Sequence, residues 1–183
     1  MTPASIELTR EVPAVLVPSG QSTLVAQGTK VTIVQSLGGS HTVITDQGMM
    51  VRIDGRDADA LGMEPEKAPE ASAAPAATPD ELREHITQAL RKVYDPEIPV
   101  NVVELGLVYG CHVDTLAEGG YKVVVDMTLT APGCGMGDVL RRDALKRIQE
   151  QPGVKEAEVK IVLDPPWDKS KMSDAARLQL GMF

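Results

Sequence analysis

The stretch YKVVVDMTLTAPGCGMG, residues 121–137, combines a strand, a glycine-rich loop and the start of a helix. Its first half carries apolar side chains at alternate positions, the period of a strand with one buried face. Those side chains are Tyr121, Val123, Val125, Met127 and Leu129. The loop covers residues 131–136, and the helix is expected from about residue 137 to residue 149. The stretch therefore predicts a buried strand that ends in a loop containing Cys134.

The segments on either side of this stretch complete a small domain. Upstream, Thr78, Pro79 and Glu81 form the N-cap, first position and capping-box acid of a helix expected to reach about residue 93. A strand is expected at residues 106–114 and another after residue 153, with a short tail helix near residues 173–180. The predicted order is α-β-β-α-β with a three-stranded sheet, an α+β domain with helices on one side of the sheet.

Strand parity also assigns faces on the other two strands of this domain. Leu107, Tyr109, Cys111 and Val113 fall on one face of the first strand. We therefore expect Cys111 to lie among apolar side chains as a small core residue. In the last strand, the predicted inner face carries Ala157, Val159, Ile161 and Leu163.

A proline- and alanine-rich segment at residues 63–78 has the composition of a semi-extended linker and shows no apolar period. It separates a first domain, residues 1–62, from a second domain, residues 79–183. In the first domain short strands are predicted at residues 23–25, 31–35, 41–45 and 49–53. Met49, Val51 and Ile53 share one face of the last of these strands. The first domain is predicted to be small and all-β, with a barrel as the expected form.

Composition excludes several classes of protein. The net charge is -8, with 26 acidic and 18 basic residues and no Lys/Arg block, which argues against a nucleic-acid partner. No run approaches the ~20 apolar residues that span a bilayer, and no signal peptide is expected. We therefore predict a cytoplasmic protein without membrane contact. In that compartment Cys111 and Cys134 are expected to be free thiols.

Cys134 is the strongest candidate for chemistry. Glycines flank it, and it precedes a helix N-terminus, where unpaired N–H groups and the helix dipole favour a thiolate. The negative charge of Asp138 nearby opposes formation of the thiolate. The alternative is that Cys134 is a small apolar filler in a tight turn.

Three carboxylates surround a proline-stiffened loop in the same domain. They are those of Asp95, Glu97 and Glu104, with Pro96 and Pro99 between them. These groups suit a metal ion or the basic side chain of a partner. The alternative is that Asp95 ends a helix and the other two carboxylates are solvated surface charges.

Histidines and nucleotide-binding motifs give little further evidence of a functional site. The 3 histidines lack metal-ligand spacing, and only His112 is a plausible neighbour for Cys134. Walker-type loops, Gly-x-Gly-x-x-Gly and Cys-x-x-Cys are absent from the sequence, so neither nucleotide hydrolysis nor dithiol chemistry is expected. Its 2 cysteines cannot supply the four thiolates of an ordinary iron–sulfur site. Any cluster would need ligands from a second subunit, a partner or small-molecule thiols.

Four segments of the second domain resemble the small α/β family that includes SufT and PaaD. They are DPEIP at 95–99, ELGLVY at 104–109, TLTAPGC at 128–134 and DPPW at 164–167. The N-terminal β unit, with GGSHTV at 38–43, is more similar to SufT. The resemblance implies a non-enzymatic accessory factor in iron–sulfur cluster assembly or delivery. It implies Cys134 as the key site residue, Asp95 as a second and Glu97 more weakly, and its third motif includes Thr130 as a further candidate.

The same resemblance implies particular cargo and partners. The cargo is a transient iron–sulfur cluster or iron, shared between subunits or with a partner. The partners are scaffold or carrier proteins and client apoproteins. Apart from the resemblance, dimerisation or partner binding is expected if a cluster is held, because one exposed thiolate cannot saturate iron. The alternative function is a thiol enzyme with Cys134 as nucleophile, against which the lack of an orienting base argues.

Overall fold

A computed structural model of the chain describes residues 5–65, 76, 78–95, 97–131 and 135–182. The chain divides into two compact units, Met1–Glu70 and Ala71–Phe183. Most of the predicted linker, residues 63–78, falls outside the described residues, so the predicted domain boundaries stay a prediction. Within the described ranges, no helix has the length and apolarity needed to cross a membrane.

The first unit is a six-stranded antiparallel sheet followed by a 3₁₀ helix over Gly55–Leu61. Val51 and Ile53 are buried, as their alternation predicts, together with Val12, Val31 and Val43 from other strands. Met49, predicted to share their face, lies before the last strand and is exposed. The strands are β1 (Ser5–Glu7), β2 (Val12–Leu16), β3 (Ser22–Val25), β4 (Lys30–Leu37), β5 (Ser40–Thr45) and β6 (Met50–Asp54), in the order β1-β4-β5-β6-β2-β3.

The barrel predicted for this unit is wrong, because its sheet is open. The edge strands β1 and β3 pair only with β4 and β2, and no pairing joins them among the described residues. Strand β1 has only 3 residues, which leaves little backbone to close a barrel. Sequence analysis also missed β1 and β2, which are short and, in β2, interrupted by Pro13.

The second unit has the predicted order α-β-β-α-β and the predicted short tail helix. Strand β8 is central in the order β7-β8-β9, antiparallel to β7 and parallel to β9. The elements are α1 (Pro79–Leu90), β7 (Val108–Thr115), β8 (Tyr121–Met127), α2 (Met136–Gln149), β9 (Val154–Ile161) and α3 (Asp174–Gln179). The Thr78 hydroxyl caps α1 by accepting from the Glu81 N–H at 3.2 Å.

Both long helices cover the same face of this sheet. Helix α1 packs against β7, α2 against β9, and the two helices touch each other. The buried residues of β8 are Val123, Val125 and Met127, which confirms the alternation predicted for this strand. The core they share also includes Leu82, Ile86, Leu140 and Ile148.

Two predictions of side-chain direction are wrong. Val108 lies opposite Met127 and Gly110 opposite Asp126, so Tyr109 is an extra residue in β7. This β-bulge breaks the predicted shared face, and Tyr109 is not part of the apolar cluster. Strand β9 ends at Ile161, and Leu163 beyond it is 54% exposed instead of facing inward.

Candidate functional site

The candidate site lies beside the C-terminal end of β8. A loop after α1 is fastened there by backbone hydrogen bonds. The N–H of Val102 donates to the Val93 carbonyl at 2.9 Å, and the N–H of Thr128 donates to the Leu107 carbonyl at 2.7 Å. These bonds hold the segment containing Asp95 next to the chain that leaves β8.

Asp95 is a buried carboxylate, only 4% exposed. One of its oxygens, Oδ1, accepts from the N–H groups of Glu97 and Ile98, both at 2.9 Å. The other, Oδ2, lies 3.5 Å from the Thr130 hydroxyl, well beyond the usual 2.5–3.0 Å of such a bond. The first oxygen thus shapes the loop, and the second keeps most of its bonding capacity unused by the described residues.

A small cavity of about 20 Å³ adjoins this carboxylate. Asp95, Glu97 and Thr130 line one side, and Met136 and Leu140 of α2 line another. A volume of this size holds about one water molecule. The structure therefore brings together three of the residues that sequence analysis singled out, although Thr130 is far from Asp95 in the chain.

Helix α2 approaches the end of β8 closely because its second residue is glycine. A Cβ on Gly137 would lie 2.6 Å from Leu129 Cδ1. Gly135 is the N-cap residue of α2 and has no side chain that could accept a hydrogen bond from the first N–H groups of the helix.

Cys134 lies outside the described residues, together with residues 132 and 133. The described neighbours in sequence are Ala131, after the end of β8, and Gly135, before α2. The role of Cys134 as a ligand stays a prediction.

Glu104 has a different environment from the other carboxylates. It is not among the residues that line the cavity, and its side chain bonds to Arg91 and to the Ser173 hydroxyl. The Ser173 N–H also donates to the Glu104 carbonyl at 2.9 Å. Since Ser173 caps α3 by accepting from the Ala176 N–H, Glu104 joins the tail helix to the domain.

The tail segment, residues 164–182, makes further contacts that sequence analysis missed. Trp167 Nε1 donates to the Leu105 carbonyl at 2.8 Å, and the Tyr109 hydroxyl donates to the Pro165 carbonyl at 2.8 Å. Gln179 Nε2 donates to the Pro99 carbonyl at 3.0 Å. The tail segment therefore braces the part of the loop that follows Asp95. Trp167, the single tryptophan, was the signal in the sequence that could have indicated these contacts. A large ring with one N–H donor needs a hydrogen-bond acceptor when it is partly buried.

Replacing Glu104 with glutamine is expected to remove an acid-sensitive contribution to stability. The Ser173 hydroxyl and then Arg91 lower the pKa of Glu104 below its usual 4.5. Stabilisation by the charged form is thus complete above the ordinary pKa and is lost as the pH falls through the lowered one. At pH 7 we expect Glu104→Gln to lower the free energy of unfolding by about 1 kcal/mol.

Urea unfolding followed by Trp167 fluorescence at several pH values tests this prediction. The difference between variant and wild type should shrink as the pH falls from 4.5 through the lowered pKa of Glu104. A difference that stays constant down to the acid limit of the folded protein would show that the charge of Glu104 is not responsible.

Cys111 and His112 occupy opposite faces of β7. Cys111 pairs with Val125 on the helix-covered face, where burial raises the pKa of its thiol despite nearby Arg83. His112 Nε2 lies 3.5 Å from Asp126 Oδ2 on the other face. No described histidine lines the cavity beside Asp95.

Comparison with known proteins identifies relatives of the second unit. The profile of the family described as "Iron-sulfur cluster assembly protein" matches residues 83–161. A "Fe-S protein maturation auxiliary factor" from Porphyromonas gingivalis is 45% identical over 103 residues, which are 56% of this chain and 94% of that protein. The "Fe-S protein maturation auxiliary factor YitW" of Bacillus subtilis is 42% identical over 101 residues, 55% of this chain and 95% of the relative.

A solved structure also resembles the second unit. A domain of unknown function from Bacillus anthracis superimposes with a TM-score of 0.50 at 35% identity, covering 57% of this chain and 95% of that domain. The first unit lies outside the matched residues 83–161. Since nearly the whole length of close relatives is matched, this chain belongs to the iron–sulfur cluster assembly protein family and is of the SufT type.

Proposed function

We propose that this chain is an accessory factor that helps to assemble iron–sulfur clusters or deliver them to client apoproteins, with Cys134 as a transient ligand of iron or of a cluster. One observation carries the proposal: Asp95, Glu97 and Thr130 line a cavity that is also lined by Ala131 and Met136, which are close to Cys134 in sequence. A thiolate together with carboxylates is a donor set for iron, so the proposal requires Cys134 to reach this cavity from the segment between Ala131 and Met136.

The donor set of one chain is incomplete, and this suits transient binding. An ordinary cluster takes four thiolates, and this chain has 2 cysteines, of which Cys111 lies on the helix-covered face. Scaffold or carrier proteins, client apoproteins or a second copy of the chain would supply the missing ligands. A cargo held by few ligands is also easily released to a client. We place this activity in the cytoplasm and expect no catalytic turnover.

Client maturation tests the role of Cys134. A cluster-loaded scaffold and an apo-dehydratase whose activity requires a [4Fe–4S] cluster are mixed anaerobically with wild type, Cys134→Ala or Cys111→Ala. We expect Cys134→Ala to slow activation of the dehydratase by about tenfold or more, since loss of groups around a metal typically has effects of that size. Cys111→Ala, the matched control, should leave the rate almost unchanged. Activation at the wild-type rate by Cys134→Ala would exclude a ligand role.

A further inference from the structure

We propose that a second copy of this chain adds to the outer edge of strand β7, antiparallel and in register about Val113, so that the two three-stranded sheets become one continuous sheet. The inference goes beyond the proposed function and does not rest on it, because it uses no residue of the cavity beside Asp95. The surface consists of residues 111–115 of β7, which we call the β7 edge.

The β7 edge has backbone groups that point away from its own sheet. Paired residues in antiparallel strands alternate between exchanging two hydrogen bonds and exchanging none. Just beyond β7, the N–H of Leu116 donates to the Gly120 carbonyl at 3.0 Å. The next pair, Thr115 and Tyr121, therefore exchanges none, and the N–H of Tyr121 donates instead to the Gly153 carbonyl at 2.9 Å. By this alternation, the outward N–H and C=O groups are those of Cys111, Val113 and Thr115.

These outward groups are almost unoccupied. Of the described residues in the second unit, only Arg83 bonds to them, donating from Nε to the Cys111 carbonyl at 3.1 Å. A carbonyl oxygen has two lone pairs, so that of Cys111 can accept a second bond. A row of unpaired N–H and C=O groups is a template for another strand. The β7 edge is therefore open to strand addition.

The β7 edge also lacks the features that usually protect an edge strand. Natural edge strands carry lysine, proline or a bulge, each of which opposes pairing with another chain. Strand β7 contains no lysine and no proline, and its bulge at Tyr109 lies before residues 111–115. The opposite edge strand, β9, is protected by the charged side chains of Lys155, Glu156, Glu158 and Lys160. Strand addition is thus expected at β7 and not at β9.

The polar side chains of the β7 edge indicate that the added strand is a second copy. A two-fold axis at Val113 places His112 opposite Asp114 of the second copy, and does so twice. These are pairs without backbone hydrogen bonds, in which side chains lie closest. An imidazole N–H donates to a carboxylate, and a protonated ring adds an opposite charge. The same axis pairs the outward backbone groups of the two strands with each other, so backbone and side chains agree on one register.

Both polar side chains are available for this contact. Asp114 lies opposite Lys122 of β8, but Lys122 bonds to Glu156 at 3.1 Å instead. Within the described part of the second unit, no ion pair or hydrogen bond engages the Asp114 carboxylate. His112 is exposed, and its Nε2 lies 3.5 Å from Asp126 Oδ2, which leaves Nδ1 for another partner.

Sedimentation equilibrium of the full chain, without iron, tests the β7 edge. Wild type should approach the mass of two chains, each of 19.5 kDa, as the protein concentration rises. Asp114→Lys removes the acceptor opposite His112 and puts a positive charge there, so it should weaken the dimer by about tenfold. Glu158→Lys, the matched control, makes the same change of charge on β9 and should leave the dimer unchanged.

A charge exchange tests the register. His112→Asp alone places two carboxylates opposite each other and should weaken the dimer by about tenfold. The double variant, His112→Asp with Asp114→Lys, restores opposite charges across the axis and should recover most of the wild-type affinity. Recovery of this kind requires residues 112 and 114 to face each other between the two copies.

Thr115→Pro tests the backbone contacts without a change of charge. It removes an outward N–H that would donate twice in the dimer, to the Cys111 carbonyl of each opposite copy, so the dimer should weaken by about tenfold or more. That N–H has no bond within the chain, so urea unfolding of the dilute monomer, followed by Trp167 fluorescence, should stay close to wild type. The inference is overturned if the wild-type chain is monomeric at every concentration reached. It is equally overturned if Asp114→Lys and Thr115→Pro dimerise as wild type does, or if the double variant is no stronger than the single ones.

Discussion

Replacing Gly106 with alanine should destabilise the second unit by about 3 kcal/mol, the sum of a backbone cost and a steric cost. Gly106 has φ of +69°, a region that residues with a Cβ adopt only with strain. Its added Cβ would also lie 2.1 Å from the Lys171 carbonyl oxygen, a backbone atom that cannot rotate away. The tail segment would have to leave the loop, which would break the bond between Trp167 and Leu105.

Gly119→Ala is the matched control for this prediction. Gly119 has φ of +85°, but its Cβ would meet nothing within 4 Å, so only the backbone cost of about 1 kcal/mol remains. Urea unfolding monitored by Trp167, the single tryptophan, reports on the second unit alone. Equal losses of unfolding free energy in the two variants would mean that Lys171 of the tail segment is not in close contact with Gly106.

Local patterns in the sequence were sufficient to predict the helices and strands of the second unit. The alternation from Tyr121 to Met127 and the capping residues before α1 act within a few positions, so a single stretch of sequence contains the whole signal. The β-bulge at Tyr109 depends on how β7 pairs with β8, which no local pattern records. The open edge of the first unit likewise depends on which distant strands fail to pair.

The candidate site was predictable only in part, for a related reason. Asp95 and Thr130 belong to separate motifs that the family resemblance brought together, but their contact requires the loop after α1 to reach the end of β8. Glu104 follows Asp95 closely in the sequence, yet its partners are Arg91, just after α1, and Ser173 of the tail segment. Sequence proximity grouped three carboxylates, and the fold separates one of them from the other two.

Cys134 is expected to react with iodoacetamide about tenfold or more faster than Cys111 in the native protein at pH 7.5. Only the thiolate reacts, and burial raises the pKa of Cys111, which lowers its thiolate fraction at that pH. Cys111 also lies on the helix-covered face, so the reagent reaches it slowly. For Cys134, the predicted position before a helix N-terminus should lower the thiol pKa and leave the sulfur accessible.

A pH series with peptide mass analysis separates the two thiols, because each rate follows its own pKa. Labelling of Cys134 should level off at a lower pH, whereas labelling of Cys111 should continue to rise into the alkaline range as its raised pKa is approached. Equal rates, or labelling of Cys134 only in denaturant, would contradict the prediction. Because fast labelling alone fits both a ligand and a nucleophile, the same sample should be labelled with iron and sulfide present. Protection of Cys134 would indicate a ligand, since a bound thiolate cannot attack the reagent, and unchanged labelling would favour the thiol-enzyme alternative.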